Sequence, residues 1–173
     1  MFRNMNCNRK NNKNIKKEGS GFILLEILIT IALIGIVFFV LLDIGFLAMN
    51  NWSVAKRELV ADSLIKEELE ALRGFRDKTK WNVDGLGLVN TGQDNPYYLV
   101  NNQGKWTLVS GEEIIEIFKR KIIFENVSRT GGKIDDVYNP ANNDPDTKKV
   151  TVTVKWPEKS LSVVSYLTNW KND

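Results

Sequence analysis

An uninterrupted apolar run near the amino terminus limits what this chain can fold into. The run is FILLEILITIALIGIVFFVLL at positions 22–42, 21 residues with a single charge at Glu26. At a rise of about 1.5 Å per residue, a helix of this length spans roughly 30 Å, the thickness of a bilayer's hydrocarbon core. We therefore predict a membrane-spanning helix. The remainder of the 173 residues has room for one further domain of modest size.

The segment before the run, residues 1–21, is predicted to be a basic, disordered leader. Its Asn- and Lys-rich composition offers too little apolar surface to order itself. Six Lys and Arg residues against Glu18 give it a net charge of +5; the whole chain carries +3, so the residues from Phe22 onward carry −2. By the positive-inside rule the leader stays in the cytoplasm. We predict a single-pass protein of the cytoplasmic membrane with its carboxyl terminus outside.

A cleaved secretory signal is the ordinary alternative to a membrane-spanning helix. Its apolar region would be about 7–15 residues long and would end in a small-x-small cleavage site. This run is longer and ends in Leu42-Asp43 without such a site. A lipoprotein signal is not expected either, because the single cysteine, Cys7, precedes the run instead of following it.

The chain has no histidine, and no cysteine follows Cys7. Without the leader there is no disulfide, no cysteine nucleophile, no Cys or His zinc site and no histidine general base. We therefore predict a non-enzymatic protein without a cofactor, whose exported part is held together by core burial alone.

The helix is predicted to continue from 43 to 74. This stretch has no proline before Gly74, and its apolar residues recur at intervals of three and four, which is typical of an amphipathic helix. The predicted apolar stripe consists of Ala55, Leu59, Ile65, Leu69 and Leu72. The opposite, charged face is predicted to hold Lys56, Arg57, Lys66, Glu67, Glu68 and Glu70. Gly74 is predicted to end the helix, with Arg73 suited to its negative end.

The carboxyl-terminal half, residues 75–173, is predicted to be β-rich. Strands are expected at 97–100, 106–109 and 114–127, with Phe118, Ile122 and Phe124 on one face. Val150, Val152, Val154 and Trp156 alternate with polar residues, and a turn at 157–160 and a strand at 161–170 complete a hairpin. A loop is expected at 130–147. The fold class is therefore α+β: a long amino-terminal helix packed on a small antiparallel sheet.

The most informative motif is Gly21-Phe22-Ile23-Leu24-Leu25-Glu26, between the basic leader and the apolar run. A carboxylate inside a membrane helix costs roughly 3 kcal/mol, so Glu26 is a candidate functional residue. Cleavage after Gly21, whose backbone is unhindered, would leave a free ammonium group on Phe22. An ion pair between that ammonium and Glu26, in one chain or between neighbours, would remove the burial cost.

This arrangement resembles the class III signal of type IV prepilins and of type II secretion pseudopilins. The resemblance implies that a prepilin peptidase cuts after Gly21 and methylates the new amino terminus at Phe22. It also implies that Glu26 pairs with the amino terminus of an adjacent subunit and sets the register of a filament outside the cell membrane. The implied partners are other pilin or pseudopilin subunits, the peptidase and the membrane.

Two strand segments, 118–127 and 148–157 with its returning strand to 170, are similar to minor pilins of the pilus-modification kind and to minor pseudopilins. The chain departs from many major pilins in two ways. It has Gly35, Asp43 and Gly45 in the region where many of them have a proline, and it cannot form their carboxyl-terminal disulfide. The missing disulfide favours a minor subunit, and the missing proline leaves open how the helix bends or melts on assembly.

Two possible binding functions of the β-rich half, for calcium and for DNA, compete with purely structural explanations. Acidic and amide residues of the 130–147 loop, above all Asp144 and Asp146, could bind calcium, but their spacing matches no fixed loop pattern and a solvated loop is favoured. The Lys119-Arg120-Lys121 triplet could contact DNA. In an alternating strand, however, Lys119 and Lys121 face solvent while Arg120 points the other way, so a nucleic-acid partner is not expected.

The sequence thus predicts a minor pilin or pseudopilin, a structural subunit that is incorporated into a type IV pilus-like filament or primes one. Two alternatives remain open. One is a membrane-anchored extracytoplasmic binding module that never polymerises. The other is a pseudopilus subunit that serves type II secretion or DNA uptake.

Overall fold

A computed structural model describes residues 20–171. Its fold is α+β, as predicted: one long helix, α1 (Ser20–Lys78), precedes a seven-stranded antiparallel sheet. The described residues fall into two compact units, one ending at Trp52 and the other beginning at Ser53. Residues 1–19 of the predicted leader lie outside the described range, and the divisions at 21/22, 42/43 and 74/75 stay predictions.

The predicted helix end at Gly74 is wrong, because α1 continues to Lys78. Thr79 closes the helix: its backbone N–H and its hydroxyl both donate to the carbonyl of Phe75, at 3.1 and 2.8 Å. Gly74 lies inside α1, next to Trp106. A methyl group added there would lie 3.4 Å from Cδ1 of Trp106, an ordinary van der Waals distance, so the position has room for a small side chain. Gly74 therefore does not terminate the helix.

The buried stripe of α1 begins later than predicted. Its members follow one another at intervals of one to four residues along a single helix face: Ala61, Ile65, Glu68, Ala71, Leu72 and Phe75. Ile65 and Leu72 were predicted correctly, and Leu69 packs against the core at its margin. Ala55 is exposed and Leu59 is 72% exposed, so their assignment to the stripe is wrong for the single chain. The core covers the helix only from Ala61 onward.

Seven strands form the sheet, and each hydrogen-bonded pair is antiparallel. Their bounds are β1 (Tyr97–Asn102), β2 (Lys105–Ser110), β3 (Glu113–Ile115), β4 (Phe118–Thr130), β5 (Lys133–Ile134), β6 (Asn143–Trp156) and β7 (Lys159–Thr168). The main order is β2-β1-β4-β6-β7, and β3 and β5 each pair with β4. Two short 3-10 helices, Leu86–Leu88 and Pro140–Asn142, lie in the connections.

The alternation predicted for β6 is confirmed. Val150, Val152 and Val154 are fully buried, and Trp156 is buried with its ring edge-to-face against Phe118, 5.9 Å between centroids. The predicted hairpin is also confirmed: β6 and β7 pair without a register shift from Thr147↔Thr168 to Trp156↔Lys159. The inner face of the sheet and the stripe of α1 together enclose the core.

The strand predicted at 114–127 is interrupted, and the loop predicted at 130–147 is shorter than expected. Residues 116 and 117 make a tight turn between β3 and β4, with Glu116 in the left-handed region at φ 54°. At the other end, β5 and the first residues of β6 lie inside the predicted loop. Pro145 belongs to β6 because it sits where the β4–β6 register shifts, and there its missing N–H needs no partner.

Candidate functional site: the amino-terminal helix and a buried carboxylate

The predicted processing residues lie in the first turns of α1. Gly21 opens onto solvent, with no atom within 4 Å of where a side chain would be, and Phe22 is 75% exposed. Phe22 and Glu26 are four residues apart, so they lie on the same helix face. The Glu26 carbonyl accepts a hydrogen bond from the hydroxyl of Thr30 at 2.7 Å. Because of the four-residue spacing, the carboxylate of Glu26 lies about one helical turn from the Gly21–Phe22 bond that cleavage would break.

The apolar run presents its side chains outward on every side. No residue from Gly21 to Leu42 is buried. All of them are exposed except Gly35, which is half-buried. One helix in the described part of the chain is long and apolar enough to cross a membrane, and it is this one. Apolar surface of this extent is stable only when lipid or other helices cover it.

A second site lies under the sheet, around a carboxylate that the sequence analysis placed on the wrong face. Glu68 is 1% exposed, and its Oε1 accepts a hydrogen bond from the backbone N–H of Leu99 at 2.9 Å. Arg120 of β4 is also buried, and its Nε lies 3.0 Å from Glu68 Oε2. The prediction that Glu68 belongs to the charged face is wrong. Its spacing from Ile65 and Leu72, three and four residues, was the available signal.

Arg120 is shared among three carboxylates. Its Nε and Nη2 donate to Glu113 Oε2 at 3.0 and 2.5 Å, its Nη1 donates to the carbonyl of Leu64 at 3.2 Å, and Glu67 lies 3.8 Å away. Because the single Nε–H is directed at Glu113, Glu68 Oε2 is within ion-pair distance but receives no hydrogen bond. It is the one buried side-chain oxygen or nitrogen of the described residues in that position.

Burial dominates the chemistry of Glu68. Desolvation raises the pKa of its carboxyl to about 7, and the charges of Glu113 and Glu67 act in the same direction. Arg120 and the Leu99 N–H oppose the shift without cancelling it. A carboxyl group in this state titrates near neutral pH, where most exposed carboxyl groups are fully ionised. The cluster lies beneath the sheet and holds the helix to β1 and β4.

The two calcium candidates are engaged with protein groups. Asp144 Oδ2 accepts a hydrogen bond from Arg129 Nε at 2.5 Å, and Asp144 Oδ1 accepts one from the backbone of Asp146. Asp146 Oδ1 in turn accepts from the side-chain amide of Asn169 at 3.1 Å. Within residues 20–171 no group of three or more acidic, His or Cys side chains could hold a metal ion. Both carboxylates therefore have hydrogen-bond partners within the protein.

The predicted division of the basic triplet is confirmed. Lys119 is exposed and Lys121 half-buried, whereas Arg120 is buried in the carboxylate cluster. The pleat of β4 therefore separates the two lysines from the arginine, which has a structural role. The triplet therefore does not present all three of its own cations to solvent.

The geometry defines a class of protein: an α+β domain whose first helix extends into a segment able to span a membrane. That arrangement is compatible with a pilin-like fold. No protein-family model matches this chain, and comparisons with curated proteins and with solved structures found no significant match.

Proposed function

We propose that this protein is a minor pilin or pseudopilin, a non-enzymatic structural subunit of a type IV pilus-like filament. In this proposal a prepilin peptidase removes residues 1–21 and methylates Phe22. The processed chain leaves the cytoplasmic membrane when its apolar helix packs among the helices of neighbouring subunits. The observation that carries the proposal is Glu26, one charge placed a single turn inside an otherwise apolar and fully exposed helix.

The position of Glu26 supports a role in assembly better than a role in simple anchoring. A plain membrane anchor gains nothing from a carboxylate inside it and bears a cost of roughly 3 kcal/mol. A filament offers compensation, because each newly formed ammonium group on Phe22 is a partner for the Glu26 of a neighbour. Mispaired staggers leave a charge buried and alone, so the pair selects one register.

The exposed apolar side chains beyond Glu26 supply the driving force. In the membrane, lipid covers them; in a filament, other helices would. Three further large apolar side chains beyond Leu42, those of Leu59, Met49 and Phe46, would be covered by neighbouring subunits in a filament. These three side chains are 72%, 71% and 70% exposed in the single chain.

A membrane-anchored binding module that never polymerises is the main rival, and a pseudopilus subunit for type II secretion or DNA uptake is a variant of the same proposal. The rival requires no processing. The test is to co-express the full chain with a prepilin peptidase and to measure its intact mass. We expect loss of residues 1–21 and the addition of one methyl group at Phe22.

Gly21→Val is the matched control for this test. A β-branched side chain next to the bond hinders access to the backbone, so this variant should keep its leader while still inserting into the membrane. A wild-type chain that keeps its leader in the presence of an active peptidase would contradict the proposal and support the plain anchor.

A further inference from the structure

Three lysines converge on the outer face of the sheet, beside the turn that joins β6 and β7. Lys119 and Lys155 are directly opposite each other in the β4–β6 pairing. With Lys121 they line a surface groove of about 320 Å³ whose other walls include Ile117, Trp156 and Pro157. Neither Lys119 nor Lys155 forms an ion pair with any residue in 20–171. Like charges opposite each other destabilise a strand pair, so an anion bound here would relieve a cost.

The carboxylate of Glu112 lies close to all three lysines and is affected by their charges. Lys121 Nζ lies 2.9 Å from Glu112 Oε1. The pKa of Glu112 is lowered, first by this hydrogen bond and then by the positive charges of Lys121, Lys119 and Lys155. Glu112 therefore neutralises one lysine, and the groove keeps an excess of positive charge.

The β3–β4 turn next to the groove lacks the residue types that turns usually contain. It contains no Gly, Asn or Asp, although Glu116 is at φ 54°, a conformation that costs a non-glycine residue about 1–2 kcal/mol. The turn displays Ile117, which is 49% exposed, and the neighbouring Ile114 is 69% exposed. A strained turn that holds an aliphatic side chain in solvent is typical of a contact site.

The groove lies at the end of the sheet where the chain enters this unit. Arg57 and Glu58, near the start of the unit, pair with Glu158 and Lys159 of the β6–β7 turn at 3.7 and 2.6 Å. Only ten residues, 43–52, separate the apolar run from Ser53. These residues belong to α1, and ten helical residues span about 15 Å, so the chain reaches this unit within about that distance of any bilayer that the run spans.

We infer that this lysine groove and Ile117 dock on the surface of the membrane, with the lysines on the phosphates of anionic phospholipids and Ile117 in the headgroup layer. Lysines around an exposed aliphatic side chain are the usual composition of such contacts. Docking would hold the unit against the bilayer before any assembly step. The inference depends on membrane insertion alone, so it is independent of processing and of filament formation.

The test uses the full chain in lipid nanodiscs of two compositions, phosphatidylcholine alone and phosphatidylcholine with phosphatidylglycerol. Lysine amines are acetylated briefly, and the modified peptides are quantified by mass spectrometry. We expect Lys119 and Lys155 to react several-fold more slowly in the anionic discs, with the protection removed by high salt. Removing the charge of one groove lysine should lower the ratio of docked to undocked protein roughly fivefold.

Two exposed lysines on other strands, Lys105 and Lys133, serve as internal controls and should react equally in both discs. Ile117→Ser should weaken the protection of Lys119, and Lys105→Gln should leave it unchanged. Equal reactivity of Lys119 in both discs would overturn the inference, as would equal protection of all four lysines. Protection by a single-stranded oligonucleotide but not by anionic lipid would also overturn it, in favour of a nucleic-acid site.

Discussion

Glu68 shows how one residue can couple the stability of this fold to pH. Its carboxyl group is buried beside Arg120 with one oxygen unsatisfied, and burial raises its pKa from 4.5 to about 7. The folded protein therefore holds a proton at Glu68 that the unfolded chain has already released. The contribution of this proton to stability is complete below pH 4.5 and is lost as the pH rises through about 7.

The prediction at this scale concerns Glu68→Gln. The amide keeps an oxygen for the Leu99 N–H and carries no charge, so it should remove the Glu68-linked fall in stability between about pH 4.5 and 7. The wild-type loss across that window should be on the order of 3 kcal/mol at most, from the size of the pKa shift. Thermal unfolding of the detergent-solubilised full chain, followed by near-UV circular dichroism, measures it.

Glu67→Gln is the matched control, because Glu67 is exposed and lies only 3.8 Å from the same arginine. It should leave most of the wild-type pH dependence in place. The lowered pKa values of Asp77, Glu112 and Asp144 act in the opposite direction but in a more acidic range, below about pH 4.5. Identical pH profiles for wild type and Glu68→Gln would show that Glu68 is ionised in the fold.

At the scale of elements, local patterns were predictable and tertiary ones were not. The alternation of β6 follows from its own sequence, as does the amino-terminal motif, because neighbouring residues carry both signals. The end of α1 did not follow, because the helix passes through Gly74 without a break and ends four residues later, at Lys78. The Glu116-Ile117 turn carries no turn residues, and the position of Glu68 depends on an arginine from β4.

The extent of the helix–sheet interface gives the prediction for elements. Leu72→Ala should cost roughly 2–5 kcal/mol of unfolding free energy, because Leu72 is fully buried and its removal leaves a cavity. Leu59→Ala, the same substitution on the same helix, should change the unfolding free energy by less than about 0.5 kcal/mol. Urea titrations of the two detergent-solubilised variants make the comparison. Equal losses would place Leu59 in the core, as its spacing first suggested.

At the scale of the whole molecule, the protein combines a part that has a buried core with an apolar part that has none. Residues beyond Ser53 build a water-exposed unit with its own core, while residues 22–42 have no core at all and need lipid or neighbouring helices. We therefore expect that defects in assembly and defects in folding can be separated by mutation.

Glu26→Ala provides that separation. Cleavage after Gly21 should be largely intact, because the substitution leaves the Gly21–Phe22 bond and the basic leader unchanged. Incorporation into sheared filaments, measured by immunoblot in a host that assembles them, should fall strongly, because the carboxylate proposed to pair with a neighbour's amino terminus is lost. Glu26→Asp, which keeps the charge on a shorter side chain, should retain part of the incorporation. Filaments that take up Glu26→Ala at the wild-type level would contradict a role for this carboxylate in assembly.

The contact between Gly74 and Trp106 has an experimental use. Because the helix backbone lies directly against the indole ring, any change in the spacing between α1 and β2 alters the surroundings of a natural fluorophore. The emission of Trp106, obtained as the difference between the spectra of the wild-type chain and of Trp106→Phe, therefore reports on the packing of α1 against β2 without an added dye. Gly74→Ala, whose methyl group would reach van der Waals contact with the ring, supplies the reference spectrum for a changed contact between α1 and Trp106.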